Sequence, residues 1–366
     1  MQTYYTESYQ QAREHFLAAT ANADQKFQDT IAEDLTIDTA VFTARDPRTV
    51  LLIVSGTHGV EGYSGSAVQL RFLEHFLPHL NDQTTLVLIH ALNPYGFARD
   101  RRVNAHNVDL NRAFHDHQEA YTTANPALDA ALDGLHPLIA PKRPRGNPAL
   151  ETFRFYARIL PTVIRAKLTG TYPALKNALA GGQYRYPDAP FYGGNGRPKE
   201  VEVFGRILRE VTAGQAQCLV LDCHTGLGKR GEAVYFTANG DNTEAFKRLQ
   251  KIEPTFTSIA PSDTQNQEIY EAKGSLVQYA IRHSQAKQTY AFGLDIGTIS
   301  NIPLLYRIVA ENQLHHYPNT PETIAQQVRE DFREGFYPSE AKWRNDALGL
   351  YTRFLGKVAV EFGLVN

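Results

Sequence analysis

Two histidines and one glutamate stand at the ends of apolar runs, where side chains from neighbouring strands of a sheet can meet. In Ser55–Gly62 (SGTHGVEG), His58 and Glu61 are three residues apart in glycine-rich chain that follows the apolar stretch Arg48–Ser55. Imidazole nitrogen and carboxylate oxygen both bind zinc, at about 2.0 to 2.2 Å. A histidine and a glutamate that only cap the next helix would look the same. A second apolar run, within Leu219–Gly228 (LVLDCHTGLG), ends in His224. Together His58, Glu61 and His224 make the three-ligand set of a catalytic zinc with an open fourth position. Asp222, two residues before His224, is placed to orient that imidazole, and a buried structural histidine is the simpler alternative.

A third segment, Asn93–Arg112 (NPYGFARDRRVNAHNVDLNR), is rich in cations. Arginine offers a planar fork that grips a carboxylate through two bonds, and Asn111 beside Arg112 adds amide donors. Arg101 or Arg102 is a candidate for the place where negative charge develops on a tetrahedral intermediate. A surface arginine cluster has the same composition. Because this segment also follows a buried strand, it is expected to open on the same rim as the histidines.

The elements that must position these groups read as alternating strands and helices. Arg48–Ser55, Thr85–Ala91 and Cys218–Asp222 are short, nearly continuous apolar runs, the pattern of strands buried on both faces. Thr36–Phe42, Glu232–Thr237 and Tyr290–Ile296 are further strand candidates. Ser66–Leu77 has helical apolar spacing, and Tyr9–Phe27 has helix-like polarity. The expected fold is α/β, a single domain with a central mixed, twisted sheet flanked by helices and ligand groups at strand ends. The stretch at about 113–198 is less regular. Its turn-rich pieces, Pro141–Pro148 and Gly181–Pro198, are expected on the surface, flanking a helix at Leu150–Lys167. It reads as an insertion on one domain, with the basic group Lys142, Arg143 and Arg145 in a solvated loop. Two amphipathic helices, Pro321–Phe336 and Ala341–Phe362, are expected at about 321–362.

Composition bounds the function. The 366 residues carry 37 basic and 39 acidic side chains, a net charge of −2, so nothing pulls the whole chain toward nucleic acid or an anionic membrane, and neither is an expected partner. The polar start has no apolar core of a signal segment, and no run approaches the ~18 apolar residues needed to span a bilayer. A soluble, cytoplasmic protein is expected. Two cysteines, Cys218 and Cys223, make no disulfide framework, and their odd separation in one strand sends them to opposite faces.

HGVEG, NVDLNR and DCHTG in this order resemble the zinc carboxypeptidase superfamily, and more closely a branch known mainly as a domain of unknown function in microbial proteins. The superfamily also includes aspartoacylase and succinylglutamate desuccinylase. The likeness runs from about Val50 to Thr298. It implies one zinc per chain on His58, Glu61 and His224, a substrate carboxylate on Asn111 and Arg112, and a carbonyl polarised by Arg102, with Arg101 the competing choice. Glu268–Ser275 (EIYEAKGS) resembles the family's tyrosine-bearing loop and makes Tyr270 the substrate-contacting phenol. The implied activity is hydrolysis of an amide bond, peptide or N-acyl, next to a free carboxylate, on a small peptide or acyl-amino-acid substrate. A deacylase of aspartoacylase type is the alternative.

One departure stands out. Where the family has a glutamate base before Gly-Thr, this chain has Asp295, in Phe292–Thr298 (FGLDIGT). Aspartate is one methylene shorter, so its carboxylate falls ~1 Å short unless the strand sits closer, and such misplacement is costly. Glu268 and Glu271 are substitutes, and a zinc-containing protein that binds carboxylates or peptides without cleaving them is a further alternative. Gly226–Gly231 fits the dinucleotide pattern G-x-G-x-x-G, but a strand follows it where that motif needs a helix. His115 and His117 form an H-x-H pair in polar chain, away from a strand end.

Overall fold

Residues that are apolar in unbroken runs can hide both faces of a strand, and here they form the middle of one mixed sheet. A computed structural model describes residues 4–122, 126–240, 243–259 and 272–366. Its strands are β1 Gln25–Ala32, β2 Leu35–Phe42, β3 Thr49–Val54, β4 Thr84–His90, β5 Gln217–Thr225, β6 Ala233–Thr237, β7 Thr257–Ser258 and β8 Gln288–Ile296. They lie in the order β1-β2-β4-β3-β5-β8-β6-β7. The four central strands β4, β3, β5 and β8 are parallel, and every residue of β3 and β4 is buried. β2 and β6 run antiparallel to them on either side.

Helices cover both faces. Leu51, Ile53, Leu219 and Leu221 face the helices Gly62–His75 and Ala341–Glu361. Val50, Leu52, Val54 and Val220 face Lys199–Thr212 and Leu276–His283. Cys223 belongs to the first of these cores and Cys218 to the second, the opposite-facing pair that an odd spacing requires. Both thiols are buried and free.

Several expectations need correction. The N-terminal helix stops at Ala19, and the rest of Tyr9–Phe27 enters β1, an edge strand whose polar alternation hides it. The helix Asn301–His316 was not anticipated. The stretch at 113–198 is largely helical, with Pro126–Ile139, Pro148–Leu168 and Tyr172–Ala180. These pack through Ile139, Phe155, Ile159 and Leu179 onto Val309 of the helix Asn301–His316. Gly181–Pro198 is not a surface loop, since Gln183, Ala189, Phe191 and Tyr192 are buried in it. Its backbone is used instead, with Asp109 N–H donating to Tyr192 O at 2.7 Å. β6 does follow Gly231, so the dinucleotide pattern lacks its helix.

Candidate metal centre

His58 leaves β3 and enters a single tight turn, Gly59–Glu61, that opens the helix Gly62–His75. That turn brings Glu61 back beside His58, while β5, hydrogen-bonded to β3, delivers His224 one strand away. All three side chains are buried, and one ligand atom from each lies within 4.8 Å of the others. His58 Nδ1 is 2.9 Å from Glu61 Oε1, and His224 Nδ1 is 2.9 Å from Glu61 Oε2.

The far nitrogen of each imidazole is held by a carboxylate. His58 Nε2 is 3.2 Å from Asp109 Oδ1, and His224 Nε2 is 2.7 Å from Asp222 Oδ2. Such contacts fix the ring and make the near nitrogen more basic as a ligand. Asp222 is steadied by the Thr57 hydroxyl, which donates at 2.6 Å, and Asp109 by Arg102 Nε at 3.0 Å and the Asn111 N–H at 3.1 Å. Asp222 was expected in this place. Asp109 was missed, although it lies inside NVDLNR, and the cue was that each candidate ligand histidine needs a carboxylate partner for its far nitrogen.

Charges here are strongly coupled. Burial opposes ionisation of Glu61, but the two imidazoles outweigh it and hold the carboxyl well below the usual range. Burial likewise opposes charge on Asp109, where Arg102 and His58 prevail and lower it. For His224 burial favours the neutral ring, yet Asp222 and Glu61 raise its pKa well above the ordinary value. Two histidines and a carboxylate, each buried and oriented by further hydrogen bonds, are a donor set suited to a divalent metal.

Asp295 lies on β8 directly opposite His224 of β5, so the pairing of these strands sets one against the other. Burial, reinforced by the charge of Glu61, pushes its carboxyl up to about 8, and its Oδ1 accepts from the Leu227 N–H at 2.8 Å. Both strands are tied here to one phenol. Tyr351, from the helix Ala341–Glu361, accepts from the His224 N–H at 2.9 Å and has the Leu294 carbonyl at 2.7 Å as acceptor. Thr225 donates to Phe336 O at 2.7 Å, and Thr298 to Gly335 O at 2.6 Å.

The three arginines are buried, not a surface cluster. Arg102 and Arg112 line a cavity of about 160 Å³ together with His58, Asn111, His224 and Asp295. Arg102 Nη1 also donates to Glu61 Oε1 at 3.2 Å. Arg112 is fixed by the Ala180 carbonyl, 2.7 Å from Nη2, and Asn111 by the Leu276 N–H, which donates to its Oδ1 at 2.9 Å. Arg101 points elsewhere, to Glu311 at 2.5 Å and Asn107 at 3.0 Å. The rest of the cavity wall is mainly apolar, with Ile159, Val163 and Leu179 from the 113–198 stretch and Leu304, Leu305 and Ile308 from Asn301–His316. His115 pairs with the Tyr184 hydroxyl at 2.5 Å, away from the triad. Tyr270, Glu268 and Glu271 lie outside the described residues.

The sequence of residues 5–349 matches a family described as "Protein of unknown function (DUF2817)". No curated protein sequence matches the chain. Among solved structures, the chain is similar to carboxypeptidase A from Helicoverpa armigera, at 14% identity and a TM-score of 0.48, covering 94% of this chain and 74% of the other. It is also similar to a metallo-carboxypeptidase from Pseudomonas aeruginosa in complex with (2-guanidinoethylmercapto)succinic acid, at 11% identity and a TM-score of 0.47, covering 99% and 71%. A succinylglutamate desuccinylase from Silicibacter sp. TM1040 is similar at 14% identity and a TM-score of 0.38, covering 80% and 65%.

Proposed function

The chain belongs to the DUF2817 family of proteins of unknown function, and from the chemistry of its site we propose that it is a zinc-dependent amide hydrolase of carboxypeptidase type. The observation that carries this reading is the triad of His58, Glu61 and His224, with both far imidazole nitrogens on carboxylates and a cavity bearing Asp295 and two arginines beside it. His58 and His224 would hold the metal through Nδ1 and Glu61 through its carboxylate, one zinc per chain. When bound, zinc would supply Lewis acidity toward an amide carbonyl and acidify water.

The chain's own groups perform the rest. Asp295, opposite His224 and on the same cavity, takes a proton from the attacking water and delivers it to the leaving amine. Arg102 places positive charge where the carbonyl oxygen gains negative charge, a contribution of about 3 kcal/mol for such donors. Asn111 and Arg112 hold the substrate's free carboxylate, which sets the bond to be cleaved. The apolar wall receives a side chain or acyl group, so peptides and N-acyl amino acids both fit.

Elemental analysis of purified protein tests the centre, with about one zinc per chain expected. His58→Ala and His224→Ala are each expected to abolish the metal, and retention in both would reassign the ligands. Asp295→Asn is expected to keep zinc and lose at least about a hundredfold in turnover. Undiminished turnover would remove Asp295 from the mechanism. Converting the substrate carboxylate to an amide separates the hydrolase from its clamp, since indifference would exclude Arg112 as the anchor.

A further inference from the structure

We propose that the outer face of the helix Pro148–Leu168 seats the protein on the surface of an anionic phospholipid bilayer. Among the described residues seven large apolar side chains remain exposed, and five of them, Leu150, Phe153, Leu160, Ile164 and Leu168, belong to this helix. With exposed Ala157 between them they recur every three or four residues, which draws one continuous stripe along the axis. Phe153 is 69% exposed and Leu168 83%. The opposite face, with Phe155, Ile159 and Val163, is already buried against the molecule. The helix is therefore apolar on two sides, and the protein covers only one.

Charge identifies the occupant. Arg154, Arg158 and Arg165 follow one edge of the stripe and Lys167 the other, all exposed. The single acid of the helix, Glu151, is buried and engaged by Arg143 and Arg154. From residue 141 to 180 there are eight basic residues against one acidic, net +7, in a chain whose total is −2. An apolar stripe bordered only by cations complements a surface that is negative outside and apolar beneath, which an anionic bilayer supplies. A second copy of the same face would meet like charge, which opposes self-association through it.

A cavity at the start of the helix adds a headgroup site. Arg143, Arg145, Arg154 and Arg158 line about 250 Å³ of space in which Glu151 is the only lining carboxylate. Arg145 is buried, yet its guanidinium is met by neutral groups, Gln313 Oε1 at 3.2 Å and the Tyr306 hydroxyl. Glu151 pairs with Arg143 and Arg154, one carboxylate among four guanidinium groups, and a phosphate would balance the excess positive charge. No helix among the described residues is long and apolar enough to cross a membrane, so the seat is interfacial. Ile159 and Val163, on the inner face, line the apolar cavity beside the metal triad, which places that cavity about one helix diameter, ~10 Å, from the lipid.

Flotation of the full chain with vesicles tests this. Binding to an equal mixture of phosphatidylcholine and phosphatidylglycerol is expected to exceed binding to pure phosphatidylcholine by at least about tenfold and to fall in high salt. Phe153→Asp combined with Ile164→Asp is expected to reduce partitioning by at least about tenfold with unchanged circular dichroism, because both side chains are exposed. Arg154→Glu with Arg158→Glu should remove the preference for anionic vesicles while the stripe remains. Absence of binding to anionic vesicles, equal binding to both compositions, or indifference to the aspartate pair would each overturn the proposal. So would a dimer in sedimentation that the aspartate pair dissociates, since it would assign the face to a second copy.

Discussion

Asp109 and Asp222 decide which nitrogen each imidazole turns toward Glu61, so their effect on metal binding is predictable without touching a ligand. Asp109→Asn keeps the shape but weakens the acceptor at His58, and a loss of about 10- to 100-fold in zinc affinity is expected, measured by competition with a chelator. A second prediction concerns His90, which is buried against Phe16 with Ser66 as its partner. Burial lowers its pKa to about 4, whereas the unfolded chain titrates near 6.5. Between these values the unfolded state binds the extra proton, so the contribution to stability is complete above pH 6.5 and is lost as pH falls toward 4. Urea unfolding at pH 7 and pH 5 should show about 2 kcal/mol of this dependence, and His90→Phe should remove it. The cluster of His58, Glu61 and His224 was legible because residues able to hold a metal combine a narrow choice of types with strand-end positions. Asp109 was not, since a carboxylate that orients a ligand looks like any acid in a polar loop. Nor could sequence choose between Arg101 and Arg102, because direction at a non-repeating turn depends on tertiary partners such as Glu311.

Strands β3, β4 and β5 were readable because burial on both faces writes itself as a nearly unbroken apolar run, and β8 was a further strand candidate. β1 pairs on one side only and keeps polar residues, and the helices of 113–198 carry prolines and exposed apolar positions that blur their period. The turn Gly59–Glu61 shows what an element does for the site. Its N–H groups at Gly59 and Val60 donate to the carbonyls of Arg102 and Arg101, at 3.2 and 2.9 Å, which locks the turn that carries Glu61 to the arginine segment. A Cβ on Gly59 would stand 2.1 Å from the carbonyl carbon of Gly96. Gly59→Ala must therefore push the turn away, and an expected cost of about 1–3 kcal/mol in chemical denaturation should come with loss of bound zinc. Retention of full zinc and stability would show that the neighbouring helix Pro94–Ala98 yields instead.

At the scale of the molecule, the question is whether the 113–198 stretch unfolds with the sheet or apart from it. The single tryptophan, Trp343, is buried in the core and donates to Gly297 O at 2.9 Å, so its fluorescence reports on the sheet and the C-terminal helix. Far-UV circular dichroism also senses the helices Pro126–Ile139, Pro148–Leu168 and Tyr172–Ala180. Because these pack onto Val309 and help to wall the cavity beside His58 and His224, the two signals are expected to coincide through thermal unfolding. A second transition seen only by circular dichroism would mark the stretch as an independent unit. The hydroxyl of Tyr351 carries a different consequence, one of timing. It joins the backbones of His224 and Leu294, yet it arrives more than a hundred residues after His224 in the chain. On the ribosome, strands β5 and β8 emerge before this tether, and N-terminal segments fold first. The rim that holds His224 against Asp295 is thus completed only when the helix Ala341–Glu361 has left the exit tunnel, so the candidate metal site closes after the strands that carry it have been synthesised.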